Sequence, residues 1–125
     1  MNAVSLHHVS LEVAADDVEA TVGFFSILGF ERLPAPELIA AYVTWLEQGP
    51  NQIHLIHTPE PTVPTVGHAA VVAPDLDATI KALADAGFEF EESHQLWGER
   101  RGFVVGPAGH RVEVMAAPPA AGSSG

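Results

Sequence analysis

Two stretches decide how this chain is read. The first is Leu6-His7-His8-Val9-Ser10-Leu11-Glu12-Val13 and the second is Val66-Gly67-His68-Ala69-Ala70-Val71-Val72-Ala73. Each is apolar with polar interruptions, as a half-buried strand is. Asp16 and Asp17 follow the first, and Pro74-Asp75 follows the second. Acid before an amphipathic run and glycine after it are helix boundary signals. The runs are residues 18–28 and 76–86, and they end in Leu28-Gly29-Phe30 and Ala86-Gly87-Phe88. So the chain carries an internal repeat: strand, helix, then Gly-Phe entering another strand.

The remainder of each half is β-rich. Residues 38–46 and 52–57 are apolar runs joined by the turn Gln48-Gly49-Pro50-Asn51. Residues 102–105 and 110–115 repeat the pattern around Gly106-Pro107-Ala108-Gly109. The expected order is βαβββ, twice. Residues 1–57 form the first module and 66–116 the second. Residues 58–65, with Pro59, Pro61 and Pro64, form a stiff linker, and 117–125 form a flexible tail. A module of about 60 residues buries too little surface to be comfortably stable alone. The expected fold class is α+β, the two modules pairing within one chain or across a dimer. Helices cover one face of each curved sheet and leave an open barrel around a cavity.

Composition narrows the function. The 125 residues include 5 Lys plus Arg against 16 Asp plus Glu, a net charge of −11. A nucleic-acid binder or a protein docked on anionic lipid needs the opposite balance. There is no cysteine, so disulfides, thiolate metal sites and cysteine nucleophiles are excluded. No basic segment followed by an apolar run opens the chain, and no stretch approaches the ~20 apolar residues of a membrane helix. The expectation is a soluble, cytoplasmic protein with a small-molecule partner and no nucleic-acid or membrane partner.

Four polar residues recur at matched positions. His68 follows His8 by 60 positions and Glu113 follows His54 by 59. Each has an apolar neighbour: Val9, Ile53 and Leu55, Ala69, and Val112 and Val114. Strand alternation turns those neighbours to the opposite face, so the polar groups point away from the core. Taken singly, each reads as the solvent face of a half-buried sheet. Taken as a repeated set, three imidazoles and a carboxylate read as ligands for a divalent transition ion.

The paired modules resemble the vicinal oxygen chelate superfamily of glyoxalase I, methylmalonyl-CoA epimerase, fosfomycin- and bleomycin-resistance proteins and extradiol dioxygenases. The motifs carrying the resemblance are Leu6-His7-His8-Val9, Phe24-Phe25, Leu28-Gly29-Phe30, Ile53-His54-Leu55, Gly67-His68, Trp97-Gly98-Glu99-Arg100 and Gly106-Pro107-Ala108-Gly109-His110-Arg111-Val112-Glu113. The resemblance implies a glyoxalase-like fold, a homodimer, and the metal ligands His8, His54, His68 and Glu113. The ion is Zn, Ni, Fe, Mn or Co. Where this chain has His54, glyoxalase I has glutamate and the epimerase has glutamine. The implied activity is that of a metal-dependent lyase or isomerase. A substrate with two adjacent oxygens passes through an enediolate, and Glu113 serves as ligand and catalytic base.

Two alternatives come with the resemblance. One is Fe(II)-dependent ring cleavage through His8, His68 and Glu113. The other is a non-enzymatic protein that sequesters an antibiotic. Arg100, Trp45 and Trp97 are the expected substrate contacts. Trp45 lines the pocket if it sits on the concave face and belongs to the core if it sits on the other. His7, one position from His8, is expected on the opposite strand face. His57, His94 and His110 read as surface or structural residues, and Asp16, Asp17 and Asp75 as helix-start residues.

Overall fold

The computed structural model describes residues 3–120. Residues 121–125 of the expected tail lie outside the described residues. The chain divides into two compact units, Met1–Val63 and Pro64–Gly125. The division falls within the proline-bearing stretch 58–65.

The first unit runs β1 (His8–Val13), a 3-10 turn at Ala15–Asp17, α1 (Val18–Ile27), β2 (Glu31–Leu33), β3 (Val43–Gln48) and β4 (Asn51–His57). The second runs β5 (Ala69–Val72), α2 (Leu76–Asp85), β6 (Glu91–Ser93), β7 (Arg101–Val105) and β8 (Arg111–Met115). The sheet orders are β1-β4-β3-β2 and β5-β8-β7-β6. In both, the first and last strands are parallel and the other pairs antiparallel. The class is α+β, two βαβββ modules, as the repeat requires.

Local sequence explains the helices. Asp75 caps α2, its Oδ1 accepting the Ala78 N–H at 3.1 Å. Asp17 makes no such side-chain bond. Instead its carbonyl accepts the Thr21 hydroxyl at 2.8 Å. Both helices end in the same double bond. Gly29 N–H donates to Ser26 and Phe30 N–H to Phe25; Gly87 N–H donates to Ala84 and Phe88 N–H to Leu83. That arrangement places the glycine in left-handed backbone, at φ 92° for Gly29 and 91° for Gly87. The Leu-Gly-Phe and Ala-Gly-Phe repeat is thus a repeated helix stop.

One face of each sheet is core. Val13, Leu46, Ile53 and Leu55 are buried with Phe24, Phe25 and Phe30 in the first unit. Val104, Val112 and Val114 are buried with Leu76 and Leu83 in the second. The strand expected over 38–46 begins only at Val43. Residues 34–42 instead turn, with Ile39 N–H bonded to Pro36 and Tyr42 N–H to Ile39.

Candidate metal and substrate site

In the first unit the strand register assembles an aromatic stack on the face opposite the core. His54 lies opposite Ser10 on one side and Trp45 on the other. The imidazole of His8, two residues before Ser10, stacks on His54 with centroids 3.9 Å apart and planes 18° apart. The Trp45 indole stacks on the same side of the sheet, 4.4 Å from His54 at 11°. Trp45 is therefore on the His54 face and outside the core. His54 is buried, and its Nε2 lies 2.7 Å from Gln52 Oε1. Burial first, and then the neighbouring His8 and His7, hold the His54 pKa below the ordinary histidine value. The ring stays neutral, as a metal ligand must be.

The second unit repeats the arrangement with a carboxylate at its centre. Glu113 lies opposite Ala70 on β5 and Phe103 on β7. His68 precedes Ala70 by two, as His8 precedes Ser10. Its Nδ1 is 2.9 Å from the Val66 carbonyl and its Nε2 is 3.1 Å from Glu113 Oε1. The other carboxylate oxygen, Oε2, accepts Arg101 Nε–H at 2.7 Å. Arg101 Nη1 donates to the His94 carbonyl at 2.7 Å. Its guanidinium lies 5.3 Å from the Phe103 ring and 5.8 Å from Trp97. Thus a chain of polar contacts runs across β8 and β7, with a backbone carbonyl at each end and Glu113 in the middle.

The donor chemistry of this second group suits a divalent ion. A carbonyl only accepts, so His68 Nδ1 carries a proton. In that tautomer Nε2 turns its lone pair toward a carboxylate oxygen, an arrangement that a cation between them completes. Anchoring the far nitrogen of a histidine on a backbone carbonyl is also how metal-ligating imidazoles are oriented. The first unit is different. Lone pairs lie in the ring planes, so the near-parallel His8 and His54 rings do not converge on one point, and one must rotate before both can hold an ion. Among the described residues no group of three or more His, Asp or Glu side chains is gathered to hold an ion. The four residues read as ligands are met as two pairs, one in each unit.

The other expected contacts fall in different places. Arg100 pairs with Glu92 at 2.9 Å and with Asp77 in the first turn of α2 at 2.8 Å. It alternates with Gly102 and Val104, so it sits on the helix side, away from Glu113, which is at odds with the expected substrate contact. Its hydrogen bond, with its charge, lowers the Glu92 pKa. Arg101, one position on, is the arginine beside Glu113. Gly102 and Val104 are buried, so alternation turns Arg101 to the other face. Trp97 donates its indole N–H to the Ala117 carbonyl at 2.9 Å and stands behind Arg101, not against Glu113. His7 was expected on the far face, but β1 starts only at His8, so alternation does not govern it. Its Nδ1 lies 2.9 Å from that of His8. His57 bonds the Thr44 hydroxyl at 2.8 Å, and His110 is buried.

A cavity of about 650 Å³ opens in the first unit, between the start of α1, residues 34–42 and β3, with Trp45, Arg32, Leu33 and His57 among its walls. Its size is that of a small-molecule site.

The family model of the Glyoxalase/Bleomycin resistance protein/Dioxygenase superfamily matches residues 5–114. The chain belongs to this superfamily. Solved structures of the vicinal oxygen chelate fold agree. A putative glyoxalase family protein from Bacillus anthracis superposes with a TM-score of 0.80, at 23% identity over 92% of this chain and 96% of that one. The genomically encoded fosfomycin resistance protein FosX from Listeria monocytogenes gives 0.73 at 18% identity, covering 94% of each chain. Oxidase ChaP-H2 gives 0.74 at 21% identity, over 99% of this chain and 100% of that one. No curated protein matches at a significant level. At such identities the structural likeness speaks for the fold. Superfamily membership makes an enzyme plausible without naming its reaction, since a resistance protein and an oxidase share the fold. No helix among the described residues is long and apolar enough to cross a membrane.

Proposed function

We propose that this chain is a metal-dependent lyase or isomerase acting on a small substrate with adjacent oxygens. His8, His54, His68 and Glu113 are the ligands in this reading. The observation that supports it best is the His68–Glu113 pair, two donors 3.1 Å apart with the imidazole oriented by the Val66 carbonyl. A bound divalent ion would supply Lewis acidity to a substrate oxygen. The chain's own groups do the rest. Arg101 occupies Oε2 of Glu113, and Oε1, the oxygen beside His68 Nε2, is the one that would meet the ion; Glu113 would also take and return the substrate proton, as the resemblance implies. Trp45 offers an aromatic wall to a small molecule on the His54 face.

The test begins with metal. Purified protein is stripped, dialysed against Zn²⁺, Co²⁺, Ni²⁺, Mn²⁺ and anaerobic Fe²⁺, and assayed for bound ion. Retention by the wild type, with loss in Glu113→Ala and His68→Ala, is expected. Loaded protein is then given the methylglyoxal–glutathione hemithioacetal and a catechol panel. Ring cleavage with Fe²⁺ alone would replace the lyase reading by an oxidative one. Absence of metal binding in the wild type would overturn the proposal.

A further inference from the structure

The five basic residues of the chain are Arg32, Lys81, Arg100, Arg101 and Arg111. Four are committed to acids: Arg32 to Glu19, Lys81 to Asp85, Arg100 to Glu92 and Asp77, and Arg101 to Glu113. Arg111 makes no ion pair and no side-chain hydrogen bond among the described residues, although the chain has 16 acids to offer. Its Cζ lies 3.9 Å from the centre of the Phe103 ring. Phe103 is also the residue opposite Glu113, and the His68 ring meets it edge-on at 5.0 Å. Arg111 is two positions before Glu113 on β8, so both side chains leave the same face of the sheet. It is half-buried. Stacking on an aromatic face fixes the plane of a guanidinium while leaving its N–H edge able to donate.

We propose that Arg111 is an oxyanion-binding residue. It would receive a carboxylate or phosphate of the small molecule that Glu113 and His68 serve, and so the substrate is an anion. The inference deepens the functional reading above in naming a substrate class, but the anion contact itself needs no metal. A free guanidinium presents parallel N–H groups that match a carboxylate or phosphate edge. In a protein of net charge −11 the surrounding field repels anions. A lone unpaired arginine beside the proposed base is where that repulsion is locally reversed. Arg101 cannot take this part, because its Nε and Nη1 are held by Glu113 and His94.

The experiment is a ligand titration followed by amide NMR, on metal-free and Zn²⁺-loaded protein. The probes are pyruvate, oxalate and inorganic phosphate, with diacetyl as a neutral counterpart. Wild type, Arg111→Gln, Arg111→Lys and Arg100→Gln are compared, each checked by near-UV circular dichroism. At least one anion should bind the wild type, with shifts on β7 and β8. Arg111→Gln should weaken it tenfold or more. Arg111→Lys should recover most of the loss, and Arg100→Gln should change nothing. Diacetyl should not distinguish Arg111→Gln from wild type. Phosphate binding without carboxylate binding, or the reverse, fixes which oxyanion is meant. If no anion binds the wild type, or Arg111→Gln binds it equally well, the inference is overturned. Anion binding that depends on Arg111 in a protein that holds no metal would sink the metal reading and leave this one standing. The opposite result, metal held and anions indifferent to Arg111, would sink this one alone.

Discussion

Replacing Glu113 by Gln tests the buried centre of the second unit directly. The Glu113 and Arg101 side chains are 10% and 11% exposed, and their contact is 2.7 Å. Water therefore screens the pair little. Removing one partner of a buried pair leaves the other charge uncompensated, typically at 3–5 kcal/mol. Glutamine softens this, because its carbonyl can still accept Arg101 Nε–H and its amide can donate to His68 Nε2. A loss of ~3 kcal/mol is expected for Glu113→Gln, and a similar loss for Arg101→Met, which leaves the carboxylate without its guanidinium. The double variant removes both charges, so it should fall short of the summed single losses by ~2 kcal/mol. Urea unfolding at pH 7, read by tryptophan fluorescence and far-UV circular dichroism, measures all three if the slopes agree with wild type. Single losses below about 0.5 kcal/mol, or a coupling near zero, would show that Arg101 is not desolvated against Glu113. The chain of bonds from Val66 to His94 would then be a surface feature with no hold on the carboxylate.

Two more predictions follow from particular atoms. His54 binds its proton less readily in the folded than in the unfolded chain. The unfolded state therefore takes up more protons below about pH 6.5, so the stability is complete above that value and declines as the pH falls through the folded-state value. Urea midpoints from pH 7.5 to 5 should show that decline, and His54→Gln should flatten it; an unchanged slope in the variant would remove His54 as its source. Gly102→Ala should destabilise strongly, by ~3 kcal/mol or more, because the added Cβ would run into the Glu91 carbonyl and the Phe90 ring. A variant with a wild-type urea midpoint would mean that β6 and β7 do not approach so closely.

Much of the architecture was legible because the repeat is written in local signals. Gly29 and Gly87 sit where only a left-handed residue ends a helix, and Asp75 supplies a cap that any strand–helix boundary would use. Alternation around Ile53-His54-Leu55 and Val112-Glu113-Val114 placed both polar residues on the free face. The failures have physical causes too. Residues 38–42 are apolar enough for a strand, but the backbone N–H groups of Ile39 and Tyr42 close turns onto Pro36 and Ile39 instead. Arg100 and Arg101 are adjacent arginines, and only the exact start of β7 decides which one faces Glu113. That start is fixed by the pairing of Gly102 with Glu92 and Phe103 with Glu113, a long-range fact that composition cannot carry. The same holds for Arg111. Its significance emerges only when the partners of the other four basic residues are known.

The two sheets use one plan with opposite electrostatics. Each puts a buried polar residue at the centre of its free face, a histidine one strand over and two residues back, and an aromatic ring on the other side. In the first unit the central group is an imidazole held neutral by burial and by other imidazoles. In the second it is a carboxylate held by a guanidinium. A purely structural repeat would favour apolar residues at both centres, since buried polar groups stabilise less than well-packed hydrophobic ones of equal volume. Retaining an ionisable group at both centres makes sense if they handle a charge that the rest of the fold does not provide. That charge is an ion in the proposed reaction. Charge handling also explains why the one arginine without an acid partner among the described residues stands two residues away from the carboxylate.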